Sequence, residues 1–139
     1  MSNETDPPLS PADVPNALEI GVAAAMSRQY AEDSRAFLLG LASLLESALP
    51  GEARVRRVGL IGGSSRPIRR IEVDFTEGRF AIEDPGRGPL LATRTQIVRS
   101  VALKTETLGV DAWIEAVSGA IARRAVESKA ARDALRQLL

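Results

Sequence analysis

Pro67–Glu83 reads PIRRIEVDFTEGRFAIE and carries the strongest structural signal in the chain. Ile71, Val73 and Phe75 alternate with Arg70, Glu72 and Asp74. After Thr76-Glu77-Gly78, Phe80 and Ile82 alternate with Arg79, Ala81 and Glu83. Period-two alternation gives each strand one apolar and one charged face, and a short Gly-containing turn between two such runs predicts a β-hairpin. A lone hairpin is marginal in water, so its apolar face needs a cover. The long helical stretches before and after it are the candidates.

Before the hairpin, Leu18, Val22, Met26 and Tyr30 repeat every fourth residue. Phe37, Leu38, Leu41, Leu44, Leu45 and Ala48 extend the stripe to a helix stop at Pro50-Gly51. Asn16, with Glu19 three residues on, is placed to cap the start. Around Glu32-Asp33-Ser34 the stripe is interrupted, and Asp33 or Ser34 could cap a second helix. With neither Pro nor Gly at the junction, we expect one long helix or one with a slight kink, against the alternative of two in series. Arg54–Ile61 (RVRRVGLI) reads as a strand weakened at Gly59, where a bulge is expected.

Beyond the hairpin, Asp84–Pro89 is rich in turn residues. Leu90–Leu108 (LLATRTQIVRSVALKTETL) has strand character and forms either one bent strand or two short ones. A final helix begins near Asp111, with Val110, Trp113, Ile114, Val117, Ala120 and Ile121 on its apolar face. Its last turns are polar, so residues 123–139 are expected to project from the core, and Leu135, Leu138 and Leu139 are expected to need a partner, in self-association or against the first helix. Met1–Pro15 holds four prolines among acidic and small residues and reads as a disordered tail. The expected fold is therefore α+β: a long N-terminal helix or helix pair, an antiparallel sheet of three to five strands, and a long C-terminal helix, in one domain over 16–139.

Composition narrows function. The chain has 139 residues, zero formal net charge, no cysteine and no histidine. Missing Cys removes disulfides, thiolate metal sites and a thiol nucleophile; missing His removes the commonest general base and transition-metal ligand. We therefore expect no enzyme, no metal and no cofactor. With no secretory-leader pattern and no apolar run of spanning length, a cytoplasmic protein without membrane contact is expected. Trp113 and its apolar neighbours read as core packing, and Tyr30 is assigned no chemistry.

Three constellations call for comment. Val58–Ser65 (VGLIGGSS) is Gly-rich but leads into Pro67 and a strand, whereas a phosphate cradle opens a helix; a flexible connection is favoured. Glu72, Asp74 and Glu83 could form an acid/base or cation site, but Arg70 and Arg79 share their face and favour ordinary cross-strand ion pairs. Arg54, Arg56, Arg57, Arg66, Arg69 and Arg70 fall within seventeen residues free of acidic ones. They form a candidate patch for an acidic partner or phosphates. Against nucleic acid stand the missing aromatics for base stacking and the neutral overall charge. Small secretion chaperones, nucleoid-associated dimers and adaptor domains share such a layout, an analogy at the level of fold alone. The functional expectation is a non-catalytic interaction module of adaptor or chaperone type, homo-oligomeric, holding an unidentified protein partner. A nucleic-acid-binding dimer using the arginines is the alternative.

Overall fold

The computed structural model describes residues 14–59, 63 and 66–138, with the side chains of 14–16, 130, 131 and 138 left out of the description. The elements run α1 (Val14–Glu32), α2 (Ser34–Ala48), β1 (Ala53–Arg57), β2 (Ile68–Phe75), β3 (Gly78–Glu83), β4 (Leu91–Val98), β5 (Val101–Leu108), α3 (Val110–Glu127) and α4 (Lys129–Leu138). The tail expected over 1–15 lies, up to residue 13, outside the described residues.

The central hairpin forms as its alternation dictates. Phe75 pairs with Gly78 across the two-residue turn Thr76-Glu77, and Val73–Phe80 and Ile71–Ile82 follow in register. Gly78 sits at φ 140°, and a Cβ there would lie 2.8 Å from the Thr95 carbonyl oxygen, so the backbone of β4 can approach only a glycine. Strands are added strictly in sequence order, β1-β2-β3-β4-β5, all antiparallel. The strand expected over Arg54–Ile61 ends at Arg57; Val58 and Gly59 are already outside it. Its irregularity lies between Arg56 and Arg57, whereas Gly59 (φ 81°) takes a turn conformation.

Leu90–Leu108 resolves into two strands joined by Arg99-Ser100, both in the left-handed region at φ 52° and 68°. Two consecutive left-handed residues make the hairpin turn whose twist matches the flanking strands.

Helices cover one face of this sheet. α2 lies on β1 and β2, and α3 lies on β4. α1 packs across α3 and α2, and α4 packs across α2 and α3. Between these elements Phe37, Leu41, Leu45, Ile71, Ile82, Phe80, Trp113, Ile114 and Ile121 are fully buried. Trp113 also donates its indole Nε1–H to the Thr93 carbonyl of β4 at 3.2 Å, giving the buried ring the partner that its polar atom needs.

Of the alternatives over Asn16–Leu49 the chain takes the helix pair and not the single helix favoured, and a second break divides the long C-terminal helix expected. At Asp33 the backbone is extended (φ −163°, ψ 111°), and its side chain accepts from the Arg35 N–H at 2.9 Å. An N-cap that satisfies an orphan donor ends one helix and starts another without Pro or Gly. Tyr30 and Phe37 meet edge-to-face across the break, at 5.5 Å between centroids. At the N-terminus, α1 begins at Val14, two residues ahead of the expected cap Asn16; Pro15 falls in the first turn, where its missing N–H costs no helix bond.

The second break falls at Ser128, after which α4 turns back over α2. Arg132 reaches back to the Ala125 carbonyl (3.3 Å), one of the last acceptors of α3. Leu135 is 1% exposed and used inside the chain, so of the two partners expected for it, the first helical stretch and another subunit, it has the first. Of the other two, the side chain of Leu138 and the whole of Leu139 lie outside the described residues.

Truncating Leu135 to Ala should cost about 2–5 kcal/mol, and Trp113→Ala about 3–5 kcal/mol, in denaturant unfolding. A Leu135→Ala loss no larger than that of half-exposed Leu39→Ala would contradict the packed position of α4.

Candidate interaction surface

The register decides which charges meet on the face of the sheet that no helix covers. Arg54 stands opposite Glu72, Arg70 opposite Glu83, and Asp74 opposite Arg79. Arg54 donates to Glu72 at 2.8 Å and to Asp74 at 3.1 Å; Arg70 donates to Glu83 at 3.0 Å and Glu72 at 3.1 Å; Arg79 donates to Asp74 at 2.8 Å. The carboxylates singled out in the sequence thus lie in one network with three arginines. Partial burial pushes the Glu72 carboxyl up, but hydrogen bonds from Arg54 and Arg70 outweigh it and hold the group below its usual 4.5. At Asp74, burial likewise acts upward and is overcome by Arg79 and Arg54, leaving it below 3.8. Arg54 is held above its ordinary value by Asp74 and Glu72. Carboxylates kept ionised in this way serve as ion-pair partners and are poorly suited to donate a proton near neutral pH.

The six arginines of the sequence patch do not act as a set. Arg54 and Arg70 belong to the network. Arg57 donates to the Arg66 carbonyl at 3.0 Å, and Arg66 donates to the Gly63 carbonyl at 3.1 Å and to that of Gly59. Of the six, only Arg56 and Arg69, both exposed, make no side-chain ion pair or hydrogen bond among the described residues. As a phosphate-binding surface the group is divided: two neutralised, two tied to loop carbonyls, two free. The Gly-rich stretch expected as a flexible connection lies largely outside the described residues.

Toward β4 and β5 the same face changes from charge to threonine. Thr93 pairs with Thr107 and Thr95 with Thr105, and the Thr95 and Thr105 hydroxyls are 2.8 Å apart. On the opposite face, Arg94 places its guanidinium 5.8 Å from the Phe80 ring centroid and donates to the Glu77 carbonyl at 3.2 Å, closing the apolar core where the helices stop. Beyond it lies an open polar recess lined by Thr76, Glu77, Arg94, Gln96, Lys104 and Glu106.

Among the described residues no helix packs substantially on β5. Two helices side by side cover roughly 20 Å at ~10 Å each, and five strands about 4.8 Å apart exceed what α2 and α3 can roof. Every residue of β5 from Val101 to Thr107 is exposed, and among the described residues the strand's outer backbone groups have no neighbouring strand. Val98 (42%), Val101 (57%) and Leu103 (58%) crowd the exposed end of the β4–β5 hairpin. The sequence reading missed this surface. Its signal was present in Val101-Ala102-Leu103, an apolar run that no helix stripe answers. Among the described residues no group of carboxylates is arranged to hold a metal ion, and no helix is long and apolar enough to cross a membrane. Comparison of the chain with protein-family models, with curated proteins and with solved structures finds no match.

The network has a signature in acid. Folded-state pKa values below the unfolded ones stabilise fully above the unfolded pKa and lose that contribution as pH falls through the folded values. Unfolding free energy should therefore drop between about pH 5 and pH 2, by roughly 1 kcal/mol or less per exposed pair. The slope should be shallower in the Glu72→Gln, Asp74→Asn double variant; an unchanged slope in denaturant titrations would show that these pairs contribute nothing.

Proposed function

We propose that the chain is a non-catalytic protein–protein interaction module that associates with itself and positions another protein. The observation that carries this reading is the uncovered β5 edge, with open backbone donors and acceptors and Val98, Val101 and Leu103 exposed beside it. An exposed edge strand of this length is a template for another strand, and natural sheets normally cover, shorten or distort such edges. Apolar side chains gathered at one end of that strand add area that gains from being removed from water. Zero formal net charge supports the reading too, since two copies approach without net repulsion. The carboxylates that an enzyme of this composition would depend on are already engaged with arginines.

The alternative, a nucleic-acid-binding dimer, would draw on the six arginines, of which Arg56 and Arg69 alone are unengaged among the described residues. It has no observation in its favour comparable to the open edge.

Sedimentation of the full chain across micromolar to submillimolar concentrations is the test. The expected result is a concentration-dependent shift from monomer to dimer or higher assembly. A monomer at every concentration would overturn the self-association reading.

A further inference from the structure

We propose that two copies of the chain join β5 to β5 about a two-fold axis at Thr105, fusing two five-stranded sheets into one, with Lys104 of each copy facing Glu106 of the other. The inference rests on the self-association reading above and specifies its geometry.

A two-fold axis between antiparallel strands makes each pairing occur twice, and it fixes the register once the residue on the axis is known. In an antiparallel ladder alternate residues turn their N–H and C=O toward a given neighbour, so an outward-turned residue must meet an outward-turned one. Axes midway between two residues fail that condition, and the axis must pass through a residue. Of the four positions nearest the middle of the strand, Leu103 lies in the irregularity and drops out, leaving Lys104, Thr105 and Glu106. An axis at Lys104 sets two ammonium groups directly opposite, and an axis at Glu106 sets two carboxylates opposite; like charges in that position destabilise a sheet. The axis at Thr105 is different. It pairs Lys104 with Glu106 twice within the stretch of regular register, Lys104–Leu108, and brings the irregular segment at Leu103 of each copy beside Thr107 of the other.

Three features of the isolated chain suit this arrangement. Lys104 and Glu106 are exposed and make no ion pair among the described residues, so both charges are available. Both stand on the helix side of the sheet, opposite Gln96 and Arg94, so the two new pairs would share one face. The irregularity of β5 falls between Ala102 and Lys104, on the turn side of the axis, and leaves Lys104–Leu108 in regular register with Gln96–Ala92. Edge lysines and bulges commonly bar foreign strands. Here a lysine two residues from a glutamate bars strands of the wrong pattern and admits a second copy of its own.

Charge reversal tests the register. Lys104→Glu sets Glu against Glu twice, and Glu106→Lys sets Lys against Lys twice. Each single variant should raise the dimer dissociation constant on the order of tenfold or more. The double variant Lys104→Glu, Glu106→Lys exchanges the partners and should return it near the starting value. Sedimentation of the four full chains reads this out, with circular dichroism confirming that each is folded. A dimer indifferent to the single reversals, or one that the double variant fails to restore, overturns the β5–β5 register and leaves self-association standing. A wild-type chain that is monomeric throughout removes both.

Discussion

The hydrogen bond from the Trp113 indole to the Thr93 carbonyl, at 3.2 Å, ties the helical layer to the sheet at β4. Trp113 is fully buried, so its ring must sit where a backbone acceptor is within reach. That requirement fixes the start of α3 over β4, and α3 in turn sets where α1 and α4 can pack. With α2 committed to β1 and β2, the cover ends before β5. The open edge is thus a consequence of how the core is filled. A fifth strand was added to a sheet that two helices could roof only to the fourth.

The two faces of the sheet handle their charges by different means. On the uncovered face, opposite charges placed by register pair in a network, with Arg56 left over opposite Arg70. On the covered face Arg94 stands at the boundary, with its charge against an aromatic ring and its N–H groups on a turn carbonyl. An arginine suits that place because its planar head is weakly hydrated and can lie against a ring while keeping hydrogen bonds. Lys104 and Glu106, one strand further out, have no such neighbours among the described residues. They contrast with the satisfied charges inboard, as Arg56 and Arg69 do toward the other edge of the sheet.

What the sequence revealed tracks how local each determinant is. The central hairpin could be read from Ile71 to Ile82 because alternation and a Gly-containing turn are properties of adjacent residues. The split at Asp33 was harder, since a capping side chain needs no Pro or Gly, and Asp is as common on a helix surface as at its start. The turn at Arg99-Ser100 gave no warning: neither residue favours the left-handed region, and the strands on either side impose it. Leu135 was left between two partners because its helix is polar by composition, and only the return of α4 over α2 shows which of them it has. The arginines looked like one patch because sequence proximity hides register; Arg54 stands opposite a carboxylate, Glu72, while Arg56, two residues on, stands opposite another arginine, Arg70.

The strictly sequential sheet also shapes how the chain reaches this structure. Each strand pairs with the next in sequence, so four short loop closures build the whole sheet at small entropic cost. The helical layer is the reverse case: Ser118 of α3 meets Met26 of α1 across 92 positions of chain. By contact order the meander is the inexpensive part and the α1–α3 seam the slow one. The apolar face of the sheet would then be formed and wet before its roof closes. During that interval the chain exposes an apolar sheet face together with the β5 edge, and it is in this partly assembled state that aggregation competes most strongly with folding.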